Sequence, residues 1–212
     1  GMWLPKLMKM MGGPSEGFYS VLPKGMTLTS PSSVAISQDG NSLMVLSGGR
    51  LTRLDRPETT DASGDQGRWT RSSQAEVTVT GRNAWLRYIG DSVVVLLQEK
   101  NPPLFFTDTL QPIEVDPKVV AAIGELSILG ATSCHAAGCL VIQASNGQAW
   151  VVRGDDKQAF EVQRLGRLSS VEAMRWDNAA GELWVAHQID QIAVWNLRDA
   201  QTGQVPGQPV RK

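Results

Sequence analysis

The stretch Ser33-Val-Ala-Ile-Ser-Gln-Asp-Gly40, Asn41-Ser-Leu-Met-Val-Leu-Ser47, Gly48-Gly49, Arg50-Leu-Thr-Arg-Leu-Asp55 decides the architecture. Its apolar residues alternate at first and then run together, between turn residues, which is how strands read. Gly40 falls where a tight hairpin asks for a positive φ, a conformation other residues reach only with strain. The unit is therefore strand, glycine turn, strand, polar turn, strand.

The same unit recurs along the chain. Ala84–Gly90 leads into Asp91–Leu97 and, after a polar turn, Leu104–Asp108; Ala131–Gly138 leads into Cys139–Ala144 and Gln148–Arg153; Val171–Gly181 leads into Glu182–His187 and Ile192–Leu197. The turn glycines Gly40, Gly90, Gly138 and Gly181 are 50, 48 and 43 residues apart. Meanders at this period, each followed by a looser fourth strand, match the blade period of a β-propeller. The expected fourth strands are Glu76–Thr80, Pro112–Val115 and Phe160–Arg164. The fold class expected is all-β, a β-propeller-like array of about four blades spanning residues 31–200. Residues 1–30 form an N-terminal arm and 201–212 a flexible tail. The array is either closed by an arm strand, Phe18–Leu22 pairing with Ile192–Leu197, or is half of a larger propeller completed by a second chain. Arg56–Gln74 has the composition of an inserted mobile loop, anchored by Trp69. Helical spacing arises only within Pro117–Leu129.

Ile192-Ala-Val-Trp-Asn-Leu-Arg-Asp-Ala-Gln-Thr-Gly203 resembles the end of a WD40 blade, and Ser33–Ser47 resembles its opening strands with their Ser-x-Asp-Gly turn. The family's Gly-His pair is absent and Asn196 stands where aspartate is usual, so the resemblance is to a WD40-like fold. Asp199–Gly203 also resembles a single quinoprotein-propeller turn. What this implies is a rigid scaffold that presents variable loops.

Composition narrows the function. With 20 Lys+Arg against 21 Asp+Glu, bulk electrostatic capture of nucleic acid or an anionic bilayer is not expected. Two cysteines make no disulfide framework. No apolar run reaches the roughly 20 residues of a membrane span. Met2–Met11 is too short and broken for a secretory h-region, which points to the cytoplasm, or to a periplasmic or secreted location if a signal peptide was removed. Trp3 and Leu7 there offer a peripheral membrane contact, against a terminal arm packed on the domain.

Candidate chemistry is sparse. Cys134 and Cys139 flank a four-residue turn, so they can sit opposite each other across two strands. Zinc asks for three or four ligands and no second pair exists, which leaves buried thiols or, in an oxidising compartment, a cross-strand disulfide. His187 beside Asp190 lacks a positioned nucleophile and reads as a strand-end histidine. Asp155-Asp156 and Asp61/Asp65 read as solvated turns without a calcium ladder. Trp85, Trp150, Trp176, Trp184 and Trp195 read as packing between blades, at comparable blade positions.

No catalytic residue, metal or cofactor is expected. The expected function is a non-catalytic protein–protein interaction or assembly module, its partner a protein or a second copy. Arg50, Lys100, Asn146 and Asp190, which occupy the second turns, are the candidate partner contacts. The alternatives are a propeller enzyme (hydrolase, lyase or quinoprotein), or a small-ligand or carbohydrate binder with an axial site. The innermost strands, Val34–Ser37, Ala84–Tyr88, Thr132–His135 and Val171–Trp176, would have to supply such a site, and offer one histidine and Glu172.

Overall fold

The computed structural model describes residues 22–58, 69–99, 101–157, 159–166, 168, 170–188 and 190–197. Within them lie four antiparallel sheets, each a meander in chain order. The first blade is β1 (Ser32–Ile36), β2 (Ser42–Ser47), β3 (Arg50–Asp55) and β4 (Thr70–Glu76). The second is β5 (Ala84–Ile89), β6 (Val93–Gln98) and β7 (Leu104–Thr107). A helix α1 (Pro117–Gly124) precedes the third blade, β8 (Ile128–Cys134), β9 (Cys139–Ala144), β10 (Ala149–Arg153) and β11 (Glu161–Arg164). The fourth is β12 (Val171–Asp177), β13 (Glu182–His187) and β14 (Gln191–Asn196).

Side chains alternate across a strand, so each central strand sends one set toward the preceding blade and one toward the next. On β6, Val94 and Leu96 pack with Met44 and Leu46 of the first blade, while Val93, Val95 and Leu97 pack with Leu140 and Ile142 of the third. On β9, Val141 turns the other way, against Leu183 and Val185 of the fourth. Burial on both faces is why the central strands lose polar alternation: every residue of β6 is buried. The innermost strands pack in sequence, β1 on β5, β5 on β8 and β8 on β12, and among the described residues the sheets do not close into a ring.

The four expected turn glycines occupy the left-handed region, with φ of 71°, 61°, 60° and 69° at Gly40, Gly90, Gly138 and Gly181. The outer strands differ from expectation. The fourth strand of the first blade is β4, with Arg50 opposite Glu76, and not Glu76–Thr80. Val77 donates from its backbone N–H to Gly49 O at 2.8 Å, and the chain then turns inward so that Val77 and Val79 join the apolar contact between the first two blades. Their alternation reflects that contact and not a ladder.

In the second blade Pro112–Val115 makes no strand. Pro112 lacks the N–H a ladder needs and leaves one isolated bridge to Phe106, with Ile113 N–H donating to Phe105 O at 2.8 Å. The helix is shorter than Pro117–Leu129: Asp116 caps it through Lys118 N–H at 2.8 Å, Pro117 opens it, and β8 begins at Ile128. Its Ile123 is buried between the second and third blades. The third outer strand lies within the expected Phe160–Arg164.

Among the described residues the fourth blade has three strands. Phe18–Tyr19–Ser20–Val21, the loop core 59–68 and the tail lie outside the described residues. Leu22, the end of the expected closing strand, lies instead with Met26 on the outward face of the first blade, against Val45, Leu54 and Trp69. Trp69 anchors there, buried, with the Arg56 guanidinium 5.7 Å from its ring centroid. The tryptophans do not share one blade position: Trp85 and Trp176 are on first strands, Trp184 on a second, Trp150 and Trp195 on third strands. Only Trp184 of the five is substantially exposed, on the outward face of the last blade.

Candidate functional site

The edge of an innermost strand that faces no partner strand carries free N–H groups, which must find acceptors. On β5 two of these are met by serine hydroxyls from the flanking blades. Leu86 N–H donates to Ser33 Oγ and Tyr88 N–H to Ser133 Oγ, both at 3.0 Å. Arg87 reaches from β5 to Ala131 O of the third blade at 2.7 Å and to Leu86 O at 2.8 Å. It has no carboxylate partner among the described residues, and burial pulls its pKa below the usual arginine value. The inner ends are thus tied by polar groups that sequence patterning does not reveal.

The first turns form a second line of contact. Gln38 N–H donates to Asp91 Oδ1 at 3.2 Å, His135 Nδ1 meets Gly90 O at 3.1 Å, and Ala136 N–H donates to Asn178 Oδ1 at 3.3 Å. These three bonds stitch all four first turns into one rim. Beside it, between the second and third blades, lies a cleft of about 440 Å³ whose lining includes Ala137, Gly138, Arg153, Asp155 and Glu161.

The opposite face carries the second turns, where the candidate contacts were placed. Arg50 opens β3 and pairs with Glu76 at 2.7 Å, both well exposed, beside a cleft of about 390 Å³ over the outward face of the first blade. Asn146 accepts from Gln148 N–H at 3.1 Å within its own turn and borders a cleft of about 320 Å³ with Leu129, Ser170 and Glu172. Asp190 is exposed in the β13–β14 turn. Lys100, like Trp3 and Leu7, lies outside the described residues. Arg50 and Asn146 therefore border separate clefts and form no single site.

Cys134 and Cys139 are opposed in register and buried as free thiols. His187 closes β13, and its Nδ1 is buried without a hydrogen-bond partner among the described residues. No group of three or more His, Cys, Asp or Glu among the described residues is placed to hold a metal. No helix among the described residues is long and apolar enough to cross a membrane.

One polar cluster leaves no local signal in the sequence, because its members are scattered between Ser42 and Asp108. Arg53, 19% exposed, donates to Asp55 Oδ1 at 2.8 Å, to Asp108 O and Oδ2 at 3.0 Å each, and to Ser42 Oγ at 3.0 Å. It ties the first blade to the second. Burial works to raise the Asp55 carboxyl, but donation from Arg53 and Ser72 outweighs it and holds the pKa below the usual value. A carboxylate depressed in the folded state stabilises above its unfolded pKa of about 3.9, and that contribution disappears as pH falls through the folded value. Stability is therefore expected to drop on acidification below about pH 4, and Asp55→Asn should flatten that decline. Urea midpoints at neutral and acid pH measure it; equal acid slopes in both proteins would refute the assignment.

Comparison with known proteins supports the fold. No family model and no curated protein sequence matches the chain. Among solved structures it is similar to the WD40 domain of SCAP from fission yeast, at 11% identity and TM-score 0.55, covering 78% of this chain and 42% of that one. It is also similar to the dihydro-heme d1 dehydrogenase NirN, solved with DHE, at 12% identity and TM-score 0.51, covering 84% of this chain and 36% of that one. The chain spans less than half the length of either. These likenesses show the fold alone, that of a β-propeller, with four blade-like sheets among the described residues.

Proposed function

We propose that the protein is a non-catalytic interaction or assembly module. The observation that supports this is the open array itself. The central strand of the second blade is buried on both faces, whereas each end presents apolar side chains to solvent. Val34 and Ile36 are each 51% exposed on the outward face of the first blade, and Trp184 and Ile192 are 39% and 55% exposed on that of the last. Large exposed apolar groups grouped on one sheet face mark association surfaces. The likeness to a WD40 domain supports the same reading by analogy.

The expected result is self-assembly on size-exclusion chromatography with light scattering, or a stoichiometric partner recovered from native extract. Ile192→Glu or Val34→Glu should abolish that association while leaving the circular dichroism unchanged. A strictly monomeric protein that captures no partner would overturn the proposal. The likeness to NirN favours one second reading, a propeller enzyme. Stoichiometric metal or a bound chromophore in the purified protein would select it.

A further inference from the structure

The β8–β9 hairpin places two thiols in one cross-strand row. Cys134 ends β8 and Cys139 begins β9, and the two are register partners across the short 3₁₀ turn His135–Ala137 and Gly138. Directly opposed residues of an antiparallel pair have Cα atoms about 4.5–5.5 Å apart. A disulfide spans Cα separations of ~4.4–6.8 Å. The backbone therefore already holds the spacing that a bridge requires. Both thiols are fully buried, at 0% exposure, and both are free.

We propose that Cys134 and Cys139 form a reversible intrachain disulfide at the tip of the third blade's first hairpin, made by exchange with a small-molecule disulfide of the glutathione class. This goes beyond the interaction reading and does not depend on it.

The surroundings favour one thiol as the attacking group. Arg153 of β10 is the register partner of Cys139, completing the row Cys134, Cys139, Arg153 across three strands. Donation from the Cys134 thiol and the positive charge of Arg153 lower the Cys139 pKa against the effect of burial, while burial raises that of Cys134. A thiolate is the nucleophile in exchange. Both thiols pack on the side of the fourth blade, with Leu183 and Val185, and Gly138, beside Cys139 in the chain, is exposed at the hairpin tip.

The exchange balances as follows. Cys139 Sγ attacks one sulfur of the reagent, its S–S bond breaks, and one thiol departs, leaving a mixed disulfide on Cys139. Cys134 Sγ then attacks Cys139 Sγ, the mixed disulfide breaks, and the second thiol departs. The two cysteine protons end on the two released thiols, and the two electrons lost by the protein reduce the reagent. With only a few residues in the closed loop, entropy in the unfolded state stabilises modestly, so the bridge should raise Tm by only a few degrees.

The test equilibrates the full chain in reduced and oxidised glutathione at graded ratios, followed by alkylation and intact mass. The expected product has lost two hydrogens, carries no glutathione and stays a single chain. The folded chain should favour the bridge at least ~10-fold more than the same chain in urea, because the hairpin sets the spacing. Cys134→Ala, and independently Cys134→Ser, should trap one glutathione on Cys139. Both cysteines alkylated at the most oxidising ratio, a stable glutathione adduct on the parent chain, an interchain product, or no preference of folded over unfolded chain would each overturn the proposal.

Discussion

Gly154→Ala is expected to destabilise the protein by about 3 kcal/mol or more, among the largest effects available to a single methyl group. Gly154 follows β10 at φ +136°, a region that L side chains rarely adopt. A Cβ there would stand 2.6 Å from Phe160 Cδ1 and 2.7 Å from Phe160 Cα. The second contact is with backbone, so a rotamer change cannot relieve it. Moving Phe160 would also break its packing on Phe105, whose ring centroid is 4.9 Å away, between the second and third blades. Urea unfolding of the variant measures this; an unfolding free energy within about 0.5 kcal/mol of the parent's would contradict the geometry.

Leu96→Ala should cost about 3–4 kcal/mol. Leu96 is fully buried on β6, between Leu86 and Leu104 in the ladder and facing Met44 and Leu46 of the first blade. Truncation removes the transfer energy of the lost carbons and leaves a cavity at a junction of two rigid sheets, which collapse poorly around it. Ile192→Ala is the control: 55% exposed on a terminal face, it should change the monomer's stability by no more than about 0.5 kcal/mol. Equal losses in the two variants would mean that the blade faces are not assigned correctly.

The inner three strands of every blade were legible because two independent signals coincide in them. Glycines at positive φ mark the first turns, and uninterrupted apolar runs mark strands covered on both faces. Outer strands carried neither signal. β4 reads Thr-Arg-Ser-Ser-Gln-Ala-Glu, polar because it is an exposed edge, while the more strand-like Val77 and Val79 lie just beyond it in an interblade contact. Pro112 defeated the next expectation by removing a donor. The opposition of Cys134 and Cys139 was legible from turn length alone, and the register bears it out. The Arg53 cluster and the serine acceptors on β5 were not, since nothing local distinguishes Ser33 or Ser133 from any surface serine.

Because, among the described residues, each blade leans chiefly on its neighbours in the sequence, the described blades behave as a row and not as a loop. Interior blades are held from two sides and terminal blades from one. Local opening should therefore begin at the ends and travel inward, with amide protons of β6 and β9 exchanging last. A ring has no first blade to lose; this chain does, and anything that covers its ends would slow the fraying of the whole.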